Sequence, residues 1–217
     1  MRRRRLLIGG AAAVVVAGVV VGGVTLASPD TSAPPPVQPR ASTAVLSACG
    51  LPGTAGDGAP GATAATWTPV GAYSLPVSAT DGPGVQTPAG PWSCFTHTPS
   101  GAVLAGITIG MRANGVAENW QDVVRAQTMP GPGQDALLGK PLPDAEVVTI
   151  RGFAIAGYSD QRATIRYYLH SPSADANCTT EVQWSNDDWR LVLTDRGSTS
   201  SGCALGAPTD FTPWGPT

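Results

Sequence analysis

Alternating apolar and polar positions between residues 146 and 194 predict consecutive antiparallel strands. The heaviest alternation surrounds Asn186-Asp187, a pair with the composition of a two-residue hairpin turn. Such a turn places Trp184 opposite Trp189 on one face of the hairpin. Two further pairs would share that face: Val182 with Leu191, and Thr180 with Leu193. A cross-strand indole pair adds roughly 0.5–1.5 kcal/mol beyond its area burial, so the register is strongly specified.

Two earlier strands precede this hairpin. In the first, Val148 and Ile150 share one parity and Phe153 and Ile155 the other, which predicts a β-bulge at Gly152. In the second, apolar side chains line one face: Ala163, Ile165, Tyr167 and Leu169. The other face of that strand carries Thr164, Arg166, Tyr168 and His170. The sheet is therefore predicted to be curved, with one apolar face.

The chain between residues 92 and 139 combines both periods. We predict strands over residues 92–98 and 102–109, separated by a turn at residues 99–101. Apolar residues from Val116 to Gln127 then recur at helical spacing and predict an amphipathic helix, and residues 135–139 are predicted to add a single turn. The expected class is α+β, with one helix packed in the concavity of a curved antiparallel sheet.

The start of the chain has the pattern of a membrane anchor. Four arginines at positions 2–5 precede an uncharged run of 22 residues, Leu6–Ala27. A spanning helix needs about 20 residues, whereas the apolar part of a signal peptide has about 7–15. We therefore predict that residues 1–27 form a single-pass anchor in the cell membrane, with a cytoplasmic N-terminus and the remaining chain extracytoplasmic. Cleavage after Ala27, which would release a secreted protein, is the alternative.

Composition divides the remainder of the chain. Residues 28–48 are rich in proline and predict an extended linker. Residues 49–91 show no clear period and predict an irregular wrap over the domain, which we place at residues 92–217. The glycine spacing G-x-x-x-G at 18–22 within the anchor is compatible with a homo-oligomer.

Charge excludes one class of partner. Charged residues make up 13% of the chain, against about 25% in an average soluble protein. Four of the 13 basic residues lie at positions 2–5, so the chain after residue 27 holds nine basic and 15 acidic side chains, a balance of −6. A body of that sign does not attract phosphate backbones, and we predict no nucleic-acid binding.

Four cysteines follow the predicted anchor, where an oxidising compartment favours disulfides. Four cysteines allow three pairings. We favour Cys49 with Cys94, which would clamp the wrap, and Cys178 with Cys203, which would secure the chain after the tryptophan hairpin to its base. In the proposed register Cys178 lies opposite Asp195. With no C-x-x-C and two histidines, the sequence does not predict a metal site.

Catalytic motifs are absent from the sequence. It contains no G-x-S-x-G, no P-loop and no Rossmann glycine pattern, so we predict no cofactor and no enzymatic activity. The candidate acids and bases are Asp122, Asp144, Asp160, Asp188, His97 and His170. Asp122 is interpreted as a surface residue, His170 as a surface or interface residue, and His97 and Asp188 as turn residues. Asp187 and Asp188, for example, belong to the hairpin turn, where solvated carboxylates are common.

The strands Thr149–Ile155, Ala163–Leu169 and Val182–Leu191 resemble the C-terminal sheet of nuclear-transport-factor-2-like, or cystatin-like, domains. With the anchor and linker in front, the layout resembles uncharacterised actinobacterial proteins of integrative conjugative elements. It is also similar in plan to bitopic assembly subunits of conjugative and type IV secretion machines. The tail Asp210–Gly215 resembles part of the actinobacterial pattern.

This resemblance implies a non-enzymatic protein that contacts other envelope or transfer-machine proteins. The predicted contact surfaces are the polar strand face with Arg166, Tyr168 and His170, and the aromatic tail with Phe211 and Trp214, since these residue types are enriched at interfaces. The competing class is a small-molecule-binding or enzymatic domain that uses the cone between helix and sheet. A buried carboxylate or histidine in an open pocket would favour that class, and a cone filled by Trp120, Val124 and Phe153 would favour the contact role.

Overall fold

The computed structural model describes residues 47–53, 65–142 and 146–217. The predicted anchor over residues 1–27 and nearly all of the predicted linker lie outside these ranges, as does Asp144. Within the described residues, no helix has both the length and the apolar character needed to cross a membrane.

The segment predicted to be an irregular wrap contains regular structure. Strands β1 (Thr66–Val70) and β2 (Tyr73–Val77) form an antiparallel hairpin, and the short strands β3 (Val85–Gln86) and β4 (Trp92–Ser93) pair with each other. The prolines here interrupt the alternation of apolar and polar residues, so the hairpin has little periodic pattern. Leu75 of β2 is fully buried and belongs to the same core as the main sheet.

The first helix, α1 (Pro99–Met111), occupies the segment that we predicted to be a turn and a strand. Thr98 caps it, because its hydroxyl accepts a hydrogen bond from the Gly101 amide at 3.0 Å, and Pro99 occupies the first turn, where a missing N–H costs nothing. Every residue from Ser100 to Met111 is buried. A helix that is buried on all sides has no polar face, so its sequence lacks the helical alternation of apolar and polar residues. The strand prediction was wrong for this reason.

A π-helical segment and two short α-helices follow. The π-helical segment spans Arg112–Val116 and contains Gly115, whose φ of 98° suits glycine. Helix α2 (Trp120–Gln127) is the amphipathic helix predicted from residue 116, but it begins four residues later, after Asn119. Its predicted apolar face is largely confirmed, since Val123, Val124 and Gln127 are buried. Helix α3 (Pro132–Leu138) is longer than the predicted single turn.

Six strands form the main antiparallel sheet. They are β5 (Thr149–Ser159), β6 (Arg162–His170), β7 (Asp175–Ser185), β8 (Asp188–Val192), β9 (Gly202–Leu205) and β10 (Thr212–Pro213). Their order is β10-β5-β6-β7-β8, and β9 pairs with the part of β7 that β8 does not reach. Cys178 therefore lies opposite Cys203, and its predicted position opposite Asp195 was wrong.

The predicted hairpin and bulge are both present. Trp184 pairs with Trp189, and Asn186 and Asp187 have φ values of 55° and 60°, as a type I′ turn requires. The register of β5 against β6 shifts between Ile150 and Gly152, which is the predicted bulge. A second shift, between Ile155 and Gly157, was not predicted.

Helix α1 packs on the inner face of the sheet and defines the core. The buried Tyr167 hydroxyl of β6 donates to the Val103 carbonyl of α1 at 2.7 Å, and the Trp189 indole donates to the Thr96 carbonyl at 2.8 Å. The architecture is thus mixed α and β with a mostly antiparallel sheet, in line with the α+β prediction. The helix on the sheet is α1, however, and the predicted helix α2 contacts the end strand β8.

Candidate functional site

The outer face of β6 carries three of the five predicted contact residues. Arg166, Tyr168 and His170 alternate with buried Ile165 and Tyr167, and all three are partly exposed. The C-terminal tail lies beside these residues, because its strand β10 pairs with β5. The structure therefore brings Arg166, Tyr168 and Phe211 of the tail together on one surface, although Phe211 lies more than 40 residues away in sequence.

Two contacts attach the tail to this face. Arg166 forms an ion pair with Asp210 at 2.5 Å, and this hydrogen bond together with the positive charge of Arg166 lowers the pKa of Asp210. Tyr168 meets Phe211 edge to face, with 5.0 Å between ring centroids. An aromatic pair of this geometry contributes about 0.5–1.5 kcal/mol beyond its buried area. We call this surface, formed by Arg166, Tyr168, His170, Asp210 and Phe211, the outer patch.

A polar trio closes one end of the outer patch. The Nδ1 atom of His170 lies 2.8 Å from a carboxylate oxygen of Asp175. That hydrogen bond is the main cause that lowers the pKa of Asp175, and a hydrogen bond from Tyr168 acts in the same direction. Desolvation and the bond to Asp175 raise the pKa of Tyr168. The trio presents an ionised carboxylate and a phenol to solvent at neutral pH, which suits polar recognition.

Trp214 does not belong to this exposed surface. It is 7% exposed, and its ring packs against Trp67 at 5.0 Å and Phe153 at 5.2 Å between centroids. The prediction that Trp214 is an exposed contact residue was therefore wrong, because its side chain is buried. Its role is to anchor the tail into the core and to hold the β1–β2 hairpin, because an indole buries a large apolar area.

The candidate residues Asp122 and His97 both have structural partners. Asp122 is exposed and pairs with Arg125 at 3.1 Å, as expected for a surface carboxylate. His97 stacks on Trp184 with 3.9 Å between centroids, and its Nε2 contacts the Asp160 carbonyl. Among the described residues, no group of three His, Cys, Asp or Glu side chains converges as a metal site.

Asp188 was interpreted as a solvated turn carboxylate, and that was wrong. Its oxygens accept hydrogen bonds from the backbone amides of Cys94 at 2.7 Å, Phe95 at 3.0 Å and Trp189 at 2.9 Å. Burial raises the pKa of Asp188, and the three amides oppose that shift. Asp188 therefore ties the segment before α1 to the tryptophan hairpin.

Arg112 is a buried cation that sequence analysis missed. Its guanidinium is fully buried, donates to the carbonyls of Thr87, Pro88 and Gly90, and lies 4.5 Å from the centre of the Trp92 ring. Burial lowers the pKa of Arg112. The sequence does not indicate that this arginine is buried, since all of its hydrogen-bond partners are backbone carbonyls.

Two disulfides connect Cys49 to Cys94 and Cys178 to Cys203, the pairing favoured from the sequence. The first joins the described N-terminal segment to the loop before α1, and the second joins directly opposite positions of β7 and β9. Disulfides persist in oxidising compartments, so they indicate an extracytoplasmic environment.

On the inner face of the sheet, a cavity of about 330 Å³ lies between α1, β6, β7 and the segment that carries Cys203. Trp120, Val124 and Phe153 do not line it, so it is separate from the cone predicted around those residues. Glu146 is the carboxylate in its wall, and Glu146 is exposed. Among the residues that the structure describes, the lining contains neither a buried carboxylate nor a histidine, the groups that would favour acid–base catalysis there.

Comparison of the chain with curated proteins gave no match, and comparison with solved structures gave none either. One family model, described as "Domain of unknown function (DUF8175)", matches residues 27–213. That match covers most of the chain, including all strands of the main sheet, so the protein belongs to this family.

Proposed function

We propose that this protein is a single-pass membrane protein whose extracytoplasmic domain binds other proteins through the outer patch and has no enzymatic activity. The outer patch is the observation that carries the proposal. It combines an arginine, a tyrosine and a phenylalanine, partly exposed and mutually positioned, on a body with few charges. Such residues dominate the energetics of protein interfaces.

The predicted anchor supports the membrane part of the proposal. Arg2–Arg5 followed by the uncharged run Leu6–Ala27 is a pattern that inserts with the arginines in the cytoplasm. The two disulfides lie on the far side of that run in sequence, where export would expose them to oxidation. Sequence and disulfides thus favour one orientation.

Within this proposal the domain is nuclear-transport-factor-2-like and serves as an assembly component of a conjugative transfer apparatus, similar to type IV secretion. The resemblance of its strands and layout to such proteins supports that role. The bent antiparallel sheet with a helix on its inner face is compatible with it.

A transfer assay tests the role in the machine. A donor strain that lacks this chain is complemented with the wild type, with Arg166→Ala/Tyr168→Ala, or with Arg125→Ala. The first variant disrupts the outer patch, whereas the control removes an arginine from an exposed ion pair on α2. We expect the wild type and the control to restore transfer of the element and the patch variant to fail at equal protein level.

Transfer that proceeds normally without the chain would refute the conjugation role. Full activity of the patch variant would refute the assignment of the outer patch as the contact surface. Because the patch substitutions change half-buried side chains and could affect folding, the level of folded protein is compared by resistance to proteolysis before transfer is scored.

A further inference from the structure

The inner cavity is bounded largely by apolar side chains. Five of them come from α1, the π-helical segment, β6 and the chain before β5: Ile107, Met111, Val116, Val148 and Leu169. Its volume of about 330 Å³ is roughly twice that of an engineered apolar cavity of ~150 Å³ that binds benzene. A space of this size is at the lower end of ligand-binding pockets, which measure about 300–1,000 Å³.

Two glycines of α1 border this cavity, and they differ in what surrounds them. A Cβ on Gly106 would collide with the Tyr167 hydroxyl, so packing requires glycine there. A Cβ on Gly110 would meet nothing within 4 Å. Glycine inside a helix costs roughly 0.5–1 kcal/mol relative to alanine, and nothing in the packing demands it at Gly110. Its effect is to leave the cavity open.

The polar groups of the wall are mostly paired with one another. Asn114 donates to the Thr199 hydroxyl at 2.6 Å, and the Thr180 hydroxyl donates to the Thr199 carbonyl at 3.4 Å. The surface left for a ligand is accordingly apolar. No lysine or arginine lines the cavity among the described residues, and its charged group is the carboxylate of Glu146. Hydrogen bonds from Ser173 lower the pKa of Glu146, so it is ionised at neutral pH.

From this geometry we infer that the cavity is a binding site for an uncharged or cationic apolar small molecule of about two rings, and that Glu146 discriminates against anionic ligands. The site lies on the face of β6 opposite the outer patch, since Tyr167 and Leu169 line the cavity and Tyr168 and His170 point outwards. Ligand binding in the cavity is therefore separate from protein contact through the outer patch, and either proposal can be refuted without the other.

Photolabelling of the full-length chain in detergent tests the site. The probes share one scaffold: neutral benzophenone, cationic (4-benzoylbenzyl)trimethylammonium and anionic 4-benzoylbenzoate. On irradiation the ketone inserts into a protein C–H bond, and the adduct, whose mass is the sum of protein and probe, is mapped by peptide mass spectrometry. We expect the neutral and cationic probes to label the α1 peptide that contains Met111, and the anionic probe to label it about fivefold less.

Two pairs of variants separate the cavity from general hydrophobic labelling. Gly110→Leu fills the cavity and should reduce labelling of the Met111 peptide about tenfold, whereas Gly157→Leu adds the same side chain in open space on β5 and should not. Glu146→Lys should raise labelling by 4-benzoylbenzoate about fivefold, whereas Glu118→Lys makes the same charge change on an exposed residue outside the cavity. If Gly110→Leu does not fold, the comparison of Glu146→Lys with Glu118→Lys still tests the site.

Labelling that is equal in Gly110→Leu and Gly157→Leu would overturn the site. Labelling by the anionic probe that is insensitive to Glu146→Lys would overturn the charge selectivity. Wild-type protein that takes no probe at the Met111 peptide would also overturn the proposal, because it would mean that the cavity is closed or filled by protein side chains.

Discussion

Replacement of Asp188 by asparagine tests the link between the segment before α1 and the tryptophan hairpin. The carboxylate accepts hydrogen bonds from the Cys94, Phe95 and Trp189 amides at 2.7, 3.0 and 2.9 Å. One oxygen serves Phe95 and Trp189, and the other serves Cys94. An asparagine amide offers one acceptor, so its NH₂ group must face at least one amide donor.

The expected loss of stability follows from this one amide donor that the asparagine cannot accept. Leaving one buried donor unpaired costs about 1–3 kcal/mol, and the change from a charged to a neutral acceptor weakens the remaining bonds. Relief of the burial of a charge offsets part of the loss, since burial raises the pKa of Asp188. We expect Asp188→Asn to lower the free energy of unfolding by about 2 kcal/mol, or Tm by roughly 4–8 °C for a domain of this size.

The matched control is Asp187→Asn. Asp187 is the neighbouring residue in the same turn, it is exposed, and asparagine tolerates its φ of 60°. We expect its effect to remain within about 0.5 kcal/mol. Denaturant unfolding followed by tryptophan fluorescence measures both. Equal stability of the two variants would show that Asp188 is a solvated turn residue after all.

Three further predictions address packing, charge and covalent links. Gly106→Ala should destabilise the domain by about 1–3 kcal/mol, because its methyl group displaces the Tyr167 hydroxyl; thermal unfolding would show this as a lower Tm. The folded-state pKa of Asp210 is lowered, so its contribution to stability is present above the ordinary aspartate pKa and disappears as pH falls through the lowered pKa. The stability difference between wild type and Asp210→Asn should therefore shrink from roughly pH 7 to pH 2, and a constant difference would contradict the ion pair. Joint replacement of Cys178 and Cys203 by alanine should lower the free energy of unfolding by roughly 3 kcal/mol, and unchanged denaturation midpoints would contradict this.

The sequence predicts best those elements with one apolar and one solvated face. Strand β6 alternates along its whole length, and the tryptophan hairpin adds a turn whose residues adopt positive φ readily. Alternation and turn type together determine register, which is why the pairing of Trp184 with Trp189 could be predicted. Parity also placed Arg166, Tyr168 and His170 on the outer face.

Elements that are buried on every side, or determined by distant contacts, could not be predicted in this way. Helix α1 has no polar face, and Val103, Ile107 and Ile109 share one parity, as in a strand, so the periodic pattern favoured the wrong structure. Two of the three partners of Asp188, the amides of Cys94 and Phe95, lie more than 90 residues away in sequence. The burial of Trp214 depends on Trp67, whose strand has little periodic pattern.

The inner cavity has no counterpart in a sequence pattern either. Gly110 borders the cavity and has open space where a side chain would lie, and a glycine inside a helical sequence indicates neither a turn nor a cavity. Only part of the outer patch could be predicted from the sequence. Its strand residues follow from parity, whereas the docking of Asp210 and Phe211 against them depends on the pairing of β10 with β5.

The central claim, an oxidised domain held outside the cytoplasm by an N-terminal anchor, is tested most directly by thiol labelling in intact cells. Cells are treated with a membrane-impermeant maleimide, with or without a prior membrane-impermeant phosphine reductant, and the mass of the full-length chain is measured. Since Cys49 is bonded to Cys94 and Cys178 to Cys203, we predict no label without reductant and labelling of all four cysteines with it. Thiols that react only after lysis and need no reductant would place the domain in the cytoplasm and contradict the account.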